Sequence, residues 1–301
     1  MFCDSVRTKL PTALIITKIM KNYKIKSVLV PFDFSHGALN ALKVADKFAI
    51  EFNAKIELLN VIEPSMNIGS PNFHFSPFRS LESYLSKSAR AIENYLFKNS
   101  INPEAYSYNI EYGFCCGTII NRLKKQKFDL VIVQDNTHNY LSRLISKYNP
   151  LKIMETTQTP VIAVNKYYRI VDFKNIILPI RNLPNWYDKL PFMVSLAKQT
   201  GGKIHAVGIN ETEGSFSKEF KLIFDEAVAA LDRVNVLSSI SRFCGDDCLK
   251  GLKKISEKQN GDLIAITPAK SITSINSIFR PSLYSRLIPV SPAPIFGVKL
   301  V

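Results

Sequence analysis

The strongest constraint in this sequence is that it is written twice. Residues 27–33 (SVLVPFD) return 148 residues later as 175–181 (NIILPIR), and 54–61 (AKIELLNV) return at the same offset as 202–209 (GKIHAVGI). Towards the end of each copy, 129–133 (DLVIV) and 159–164 (TPVIAV) return as 262–266 (DLIAI) and 293–298 (APIFGV), with the offset shortened to about 133. The order is kept over more than a hundred residues, so the unit is a duplicated domain and not a solenoid repeat. A chain of 301 residues suits two such domains. With 46% hydrophobic residues, each can bury a core.

Within a copy the pattern alternates. The run 28–32 is apolar throughout, as expected of a strand covered on both faces of a parallel sheet. Ser35 follows as a candidate N-cap, and Ala38, Leu39, Leu42, Ala45 and Phe48 recur at helical spacing. Strands are expected at 55–61, 106–112, 129–133 and 161–164, with helices at 81–96, 118–125 and 151–156. The second copy repeats this with strands at 176–180, 203–209, 236–241, 263–267 and 295–298. Its helices are expected at 186–198, 216–233 and 249–258, with a short one after Pro281. This alternation predicts an α/β fold of two doubly wound, parallel, five-stranded, Rossmann-like sheets with helices on both faces. No apolar run reaches the roughly 20 residues that span a bilayer.

Several kinds of chemistry have no support. The five cysteines form no Cys-x-x-Cys pair and have no histidine at metal spacing, so small buried side chains in a reducing, cytoplasmic setting are expected. Phosphate-binding Gly-rich loops and the nucleophile-elbow motif are missing. His36 lies beside Asp33 and Ser35, but three residues within one turn do not align as nucleophile, base and orienter. The net charge of +14 is spread over both copies, 21 Lys/Arg against 13 Asp/Glu in residues 1–166 and 18 against 12 in 167–301. Such a surface is either a plain lysine-rich one or a field that attracts anions. Lys124, Lys125 and Lys127, and Lys253 and Lys254, lie on matching helices and read as solvated faces or as a basic patch. Phe73, Phe75 and Phe78 in the first copy's long loop either pack over the sheet edge or meet a partner.

The stretches 25–35 (IKSVLVPFDFS), 38–42 (ALNAL), 56–64 (IELLNVIEP), 129–133 and 159–164 together resemble the universal stress protein family in its tandem form, over about residues 24–301. The resemblance implies a domain at 24–166, a degenerate second at 172–301, and an extension at 1–23 that is expected to be disordered. Deleting residues 1–19 is accordingly expected to leave Tm unchanged, and a loss of several degrees in a thermal melt would contradict it. It also implies that the final strands, 159–164 and 293–298, pair with each other as an intramolecular pseudo-dimer.

Nucleotide-binding members carry a motif of Gly, two residues, Gly, nine residues, Gly and Ser or Thr after the fourth strand, whose backbone amides close on phosphate. Here those places fall on Gln134, Thr137 and Lys147-Tyr148, and in the second copy near Thr267, Lys270 and Pro281-Ser282. Asp33 and Val61 stand where the family holds and packs an adenine, so they form a degenerate candidate site. Asp33 equally suits a cap on the turn into the first helix. The second copy has Arg181 in the place of Asp33.

The expected function is therefore non-catalytic action in stress response through an unknown protein partner. No cofactor is expected apart from weak ATP or AMP binding in the first domain. The alternatives are a small-molecule sensor using that domain, or a binder of nucleic acid, ribosome or an acidic protein through the basic surface. A membrane role is not expected.

Overall fold

The computed structural model describes residues 23–63, 86, 90–94, 96–98, 103–135, 146–168, 172–182, 186–210, 216–244, 248–267, 286–288, 291 and 293–299. The expectations for the extension at 1–23 (save residue 23), the phenylalanines of the long loop, Thr137, Lys270 and Pro281-Ser282 lie outside them.

The first copy runs β1 (Ser27–Pro31), α1 (His36–Phe52), β2 (Lys55–Ile62), β3 (Tyr106–Tyr112), α2 (Cys115–Lys125), β4 (Leu130–Asp135), α3 (Pro150–Thr156) and β5 (Val161–Asn165). Residues 90–94 and 96–98 are helical between β2 and β3. The second copy runs β6 (Asn175–Ile180), α4 (Leu190–Thr200), β7 (Lys203–Asn210), α5 (Lys218–Arg233), β8 (Leu237–Cys244), α6 (Cys248–Lys258), β9 (Leu263–Ile266) and β10 (Ile295–Gly297).

Local chemistry sets several boundaries. The Ser35 hydroxyl accepts from the Ala38 amide at 3.2 Å and starts α1. Asn149 does the same for Lys152 at 3.1 Å, with Pro150 at the first helical position where its missing N–H costs nothing. Helix α1 ends on Asn53 in the left-handed region, φ 51°.

All ten strands form one sheet, in the order β3-β2-β1-β4-β5-β10-β9-β6-β7-β8. Every neighbour pair is parallel except β5 with β10, which run antiparallel with Ile162 opposite Phe296. The two final strands thus lie side by side at the middle of the sheet. The apolar runs are explained by position: β4, β5, β9 and β10 are buried at every residue, whereas the edge strand β8 alternates.

One apolar layer lies between the sheet and α1, α4 and α5, and another between the sheet and α2, α3 and α6. Both layers cross the junction. Phe48 of α1 packs on Phe173 at 5.2 Å and Phe192 at 6.4 Å, and Phe192 stacks on Phe296 of β10 at 4.4 Å. On the other face, a side chain at Gly297 would meet Met154 Sδ at 2.7 Å, so the absent Cβ lets α3 close over β10. Polar links tie the same junction. Asn165 Nδ2 donates to Ser291 O at 2.6 Å, and Gln199 Nε2 donates to Glu51 O at 2.6 Å.

Candidate functional site

In each copy the strand order reverses between two strands, β1 and β4 in the first and β6 and β9 in the second. A crevice at the carboxyl ends of such strands is where open α/β sheets take ligands. The pairing of β1 with β4 covers Val28–Leu130 and Leu29–Val131, and that of β6 with β9 covers Ile176–Leu263 and Ile177–Ile264. Beyond those positions the strands diverge, and side chains decide whether the gap is open.

In the first copy, described side chains from both strands meet at this gap. The Ser35 hydroxyl donates to Gln134 Oε1 at 2.6 Å, bridging the ends of β1 and β4. Gln134, in the place of the first motif glycine, is fully buried. Tyr148, in the place of the final Ser or Thr, is 3% exposed. Its ring belongs to the apolar cluster of Val61, Cys115, Ile119 and Val133. Burial first, and then the neighbouring Asp33 carboxylate, hold the Tyr148 phenol well above its ordinary range, so it stays protonated. Lys147 lies over the Tyr148 ring, its Nζ 5.5 Å from the centroid.

The structure therefore brings Asp33 and Val61 to one edge of the sheet and places Tyr148 beside them. Asp33 Oδ1 accepts from the Ser35 amide at 3.1 Å, a turn-capping bond. Phe34, between them, takes φ 64°, a left-handed conformation that is uncommon for a bulky residue. Asn60 Nδ2 donates to Phe32 O at 2.7 Å and fixes the end of β1 against β2.

The Cys115 thiol is pushed up to about 12 by burial, against the opposing pull of Lys147, so no thiolate forms near neutrality. Cys115, Cys116, Cys244 and Cys248 are all free thiols. Among the described residues no group of three or more His, Cys, Asp or Glu could hold a metal ion.

In the second copy a lysine occupies the corresponding gap. Lys189, which precedes α4, is 1% exposed, and its Nζ donates to the carbonyls of Pro179 and, at 3.1 Å, Ala265. Pro179 lies in β6 and Ala265 in β9, both past the paired register, so their carbonyls would otherwise be orphaned in the gap. Burial, with Arg181 adding repulsion, pulls the Lys189 ammonium down to about 7. In either protonation state Nζ carries an N–H for each of the two carbonyls. At the 148-residue offset Lys189 stands opposite the fully buried Ala41 of α1. Sequence reasoning passed over this lysine. Its one signal was a lone charge directly before the apolar stretch 190–194 (LPFMV).

Residues 24–165 match the model of the universal stress protein family. No curated protein matches the sequence. Among solved structures, a universal stress protein of Archaeoglobus fulgidus is similar at 16% identity and TM-score 0.71, over 92% of this chain and 97% of its own. A Pseudomonas aeruginosa protein of unknown function is similar at 15% identity and TM-score 0.59, over 91% of this chain and 92% of its own. At these identities the likeness is one of fold. The architecture is the doubly wound α/β class with Rossmann-like order. Residues 24–165 thus form a universal stress protein domain.

No helix among the described residues is long and apolar enough to cross a membrane.

Proposed function

We propose that this is a non-catalytic, tandem universal stress protein of the cytoplasm whose two nucleotide crevices are closed from within. It acts in stress response through protein contacts made by a pseudo-dimeric body. The carrying observation is Tyr148, buried where phosphate would enter, with its hydroxyl among Asp33, Cys115 and Gln134. Lys189 supports the same reading for the second copy, because the carbonyls lining its crevice are already satisfied. Side chains in place of the glycines also hinder close approach of phosphate to the backbone amides, each such contact worth on the order of 1 kcal/mol.

Calorimetry with ATP and magnesium is expected to show no micromolar site. Micromolar binding at one site per chain, abolished by Asp33→Ala, would overturn this reading and favour a sensor working through the first copy. The left-handed Phe34 beside the half-buried Asp33 is the observation on that side.

A further inference from the structure

A groove of about 860 Å³ lies at the opposite, amino-terminal end of the first copy's strands, where that copy meets the start of α4. Its volume falls in the range of small-molecule sites, roughly 300–1,000 Å³. Leu123, Phe128 and Pro160 supply apolar lining, and Pro191 adds more from the second copy. Three ammonium groups line it, those of Lys24, Lys124 and Lys127, all on exposed residues. None of the three has an ion-pair or hydrogen-bond partner among the described residues.

Two carboxylates share the groove. Asp129 is already committed, its Oδ2 accepting from the amides of Lys26 at 2.9 Å and Ser27 at 3.1 Å and from the Ser27 hydroxyl at 3.1 Å. Asp188 faces in from the second copy. The Gln158 amide and the Thr159 hydroxyl add neutral polar groups to the wall. Cations in excess around a concave surface with apolar walls concentrate anions more strongly than the same charges on a convex helix. Here the lysines after α2 line a hollow instead of forming only a solvated face.

We propose that this groove binds a small organic anion: a flat apolar body lying on Leu123, Phe128 and Pro160, with a phosphate or carboxylate held by Lys24, Lys124 and Lys127. The ligand contacts all come from the first copy, and Asp188 and Pro191 of the second copy form the far wall, where the Asp188 carboxylate favours an orientation with the anionic end towards the lysines. The site is separate from the closed crevices and does not depend on their state.

The test is a fluorescence titration of the full chain with 1-naphthyl phosphate, repeated with neutral 1-naphthalenemethanol. Saturable binding at one site per chain is expected, at least tenfold weaker for the neutral analogue and at least tenfold weaker in Lys124→Glu/Lys127→Glu. The matching reversal on α6, Lys253→Glu/Lys254→Glu, is expected to leave affinity within twofold. Absence of saturable binding up to millimolar probe overturns the proposal, as does unchanged affinity in the α2 variant. Equal losses in both charge variants would show diffuse surface attraction and also overturn it. A loss on Asp33→Ala would place the probe in the first copy's crevice, which refutes the groove and reopens the sensor reading.

Discussion

Replacing Phe192 by alanine is expected to lower the unfolding free energy by about 3–5 kcal/mol and to do so for both halves together. Phe192 is 2% exposed and lies at the centre of the aromatic chain that joins the copies. It meets Tyr23 at 5.2 Å, Phe48 at 6.4 Å and Phe296 at 4.4 Å, so truncation leaves a cavity walled by both copies. The antiparallel junction of β5 with β10 spans only three residue pairs, which makes the packing above it important. For a chain of this size the loss corresponds to a drop in Tm on the order of 10 °C. A single, displaced transition in calorimetry is the expected outcome. A shift under about 2 °C, or a two-step melt with the first half unaffected, would show that the copies are energetically independent. Phe48→Ala combined with Phe192→Ala should be markedly non-additive, because the two rings share that cavity.

Stability is also expected to rise between pH 7 and 9, which few proteins do. Lys189 ionises at about 7 in the folded chain and near 10.4 when unfolded. Between those values the unfolded chain binds the extra proton, so each pH unit adds to stability. The slope starts near half of about 1.4 kcal/mol per unit, because folded Lys189 is half-protonated at pH 7, and the gain from this group is on the order of 2 kcal/mol from pH 7 to 9. Its sign is that of a depressed group: the contribution is complete above the unfolded value and lost as pH falls to 7. Opposing groups enter at the top of the window. Tyr23, Tyr106 and Tyr148 are held above their usual range by burial, and Cys115 is pushed up to about 12. In the unfolded chain Cys115 ionises at about 8.5 and so trims the gain towards pH 9, while the tyrosines, at about 10, turn the profile down beyond about pH 10. Urea denaturation at constant ionic strength checks the slope, and Lys189→Met should flatten it. A wild-type profile that is level or falling from pH 7 to 9 would rule out a neutral Lys189.

Much of the architecture was legible because each strand's burial is written into its own residues. The apolar run at 28–32 read as a strand covered on both faces, and strands were expected at 106–112, 129–133, 161–164 and 263–267. Ser35 announced the start of α1, and Gln134 and Tyr148 stood out in the sequence because they fall where nucleotide-binding relatives have a glycine and a Ser or Thr. The pairing of the final strands was expected from the family resemblance together with the apolar character of both, which invites pairing at an uncovered edge.

What the sequence by itself determined is the order of strands and helices, since hydrophobic periodicity and caps act over a few residues. Tertiary structure alone decided what fills the crevices and what lines the junction. Lys189 looked like an ordinary surface charge until β6 and β9 were seen to part, leaving two carbonyls for its amine. Lys24, Lys124 and Lys127 converge on one groove through contacts between segments about a hundred residues apart. Local pattern carries no information about such meetings, because unpaired carbonyls and concave charge arise only when distant strands and helices are set side by side.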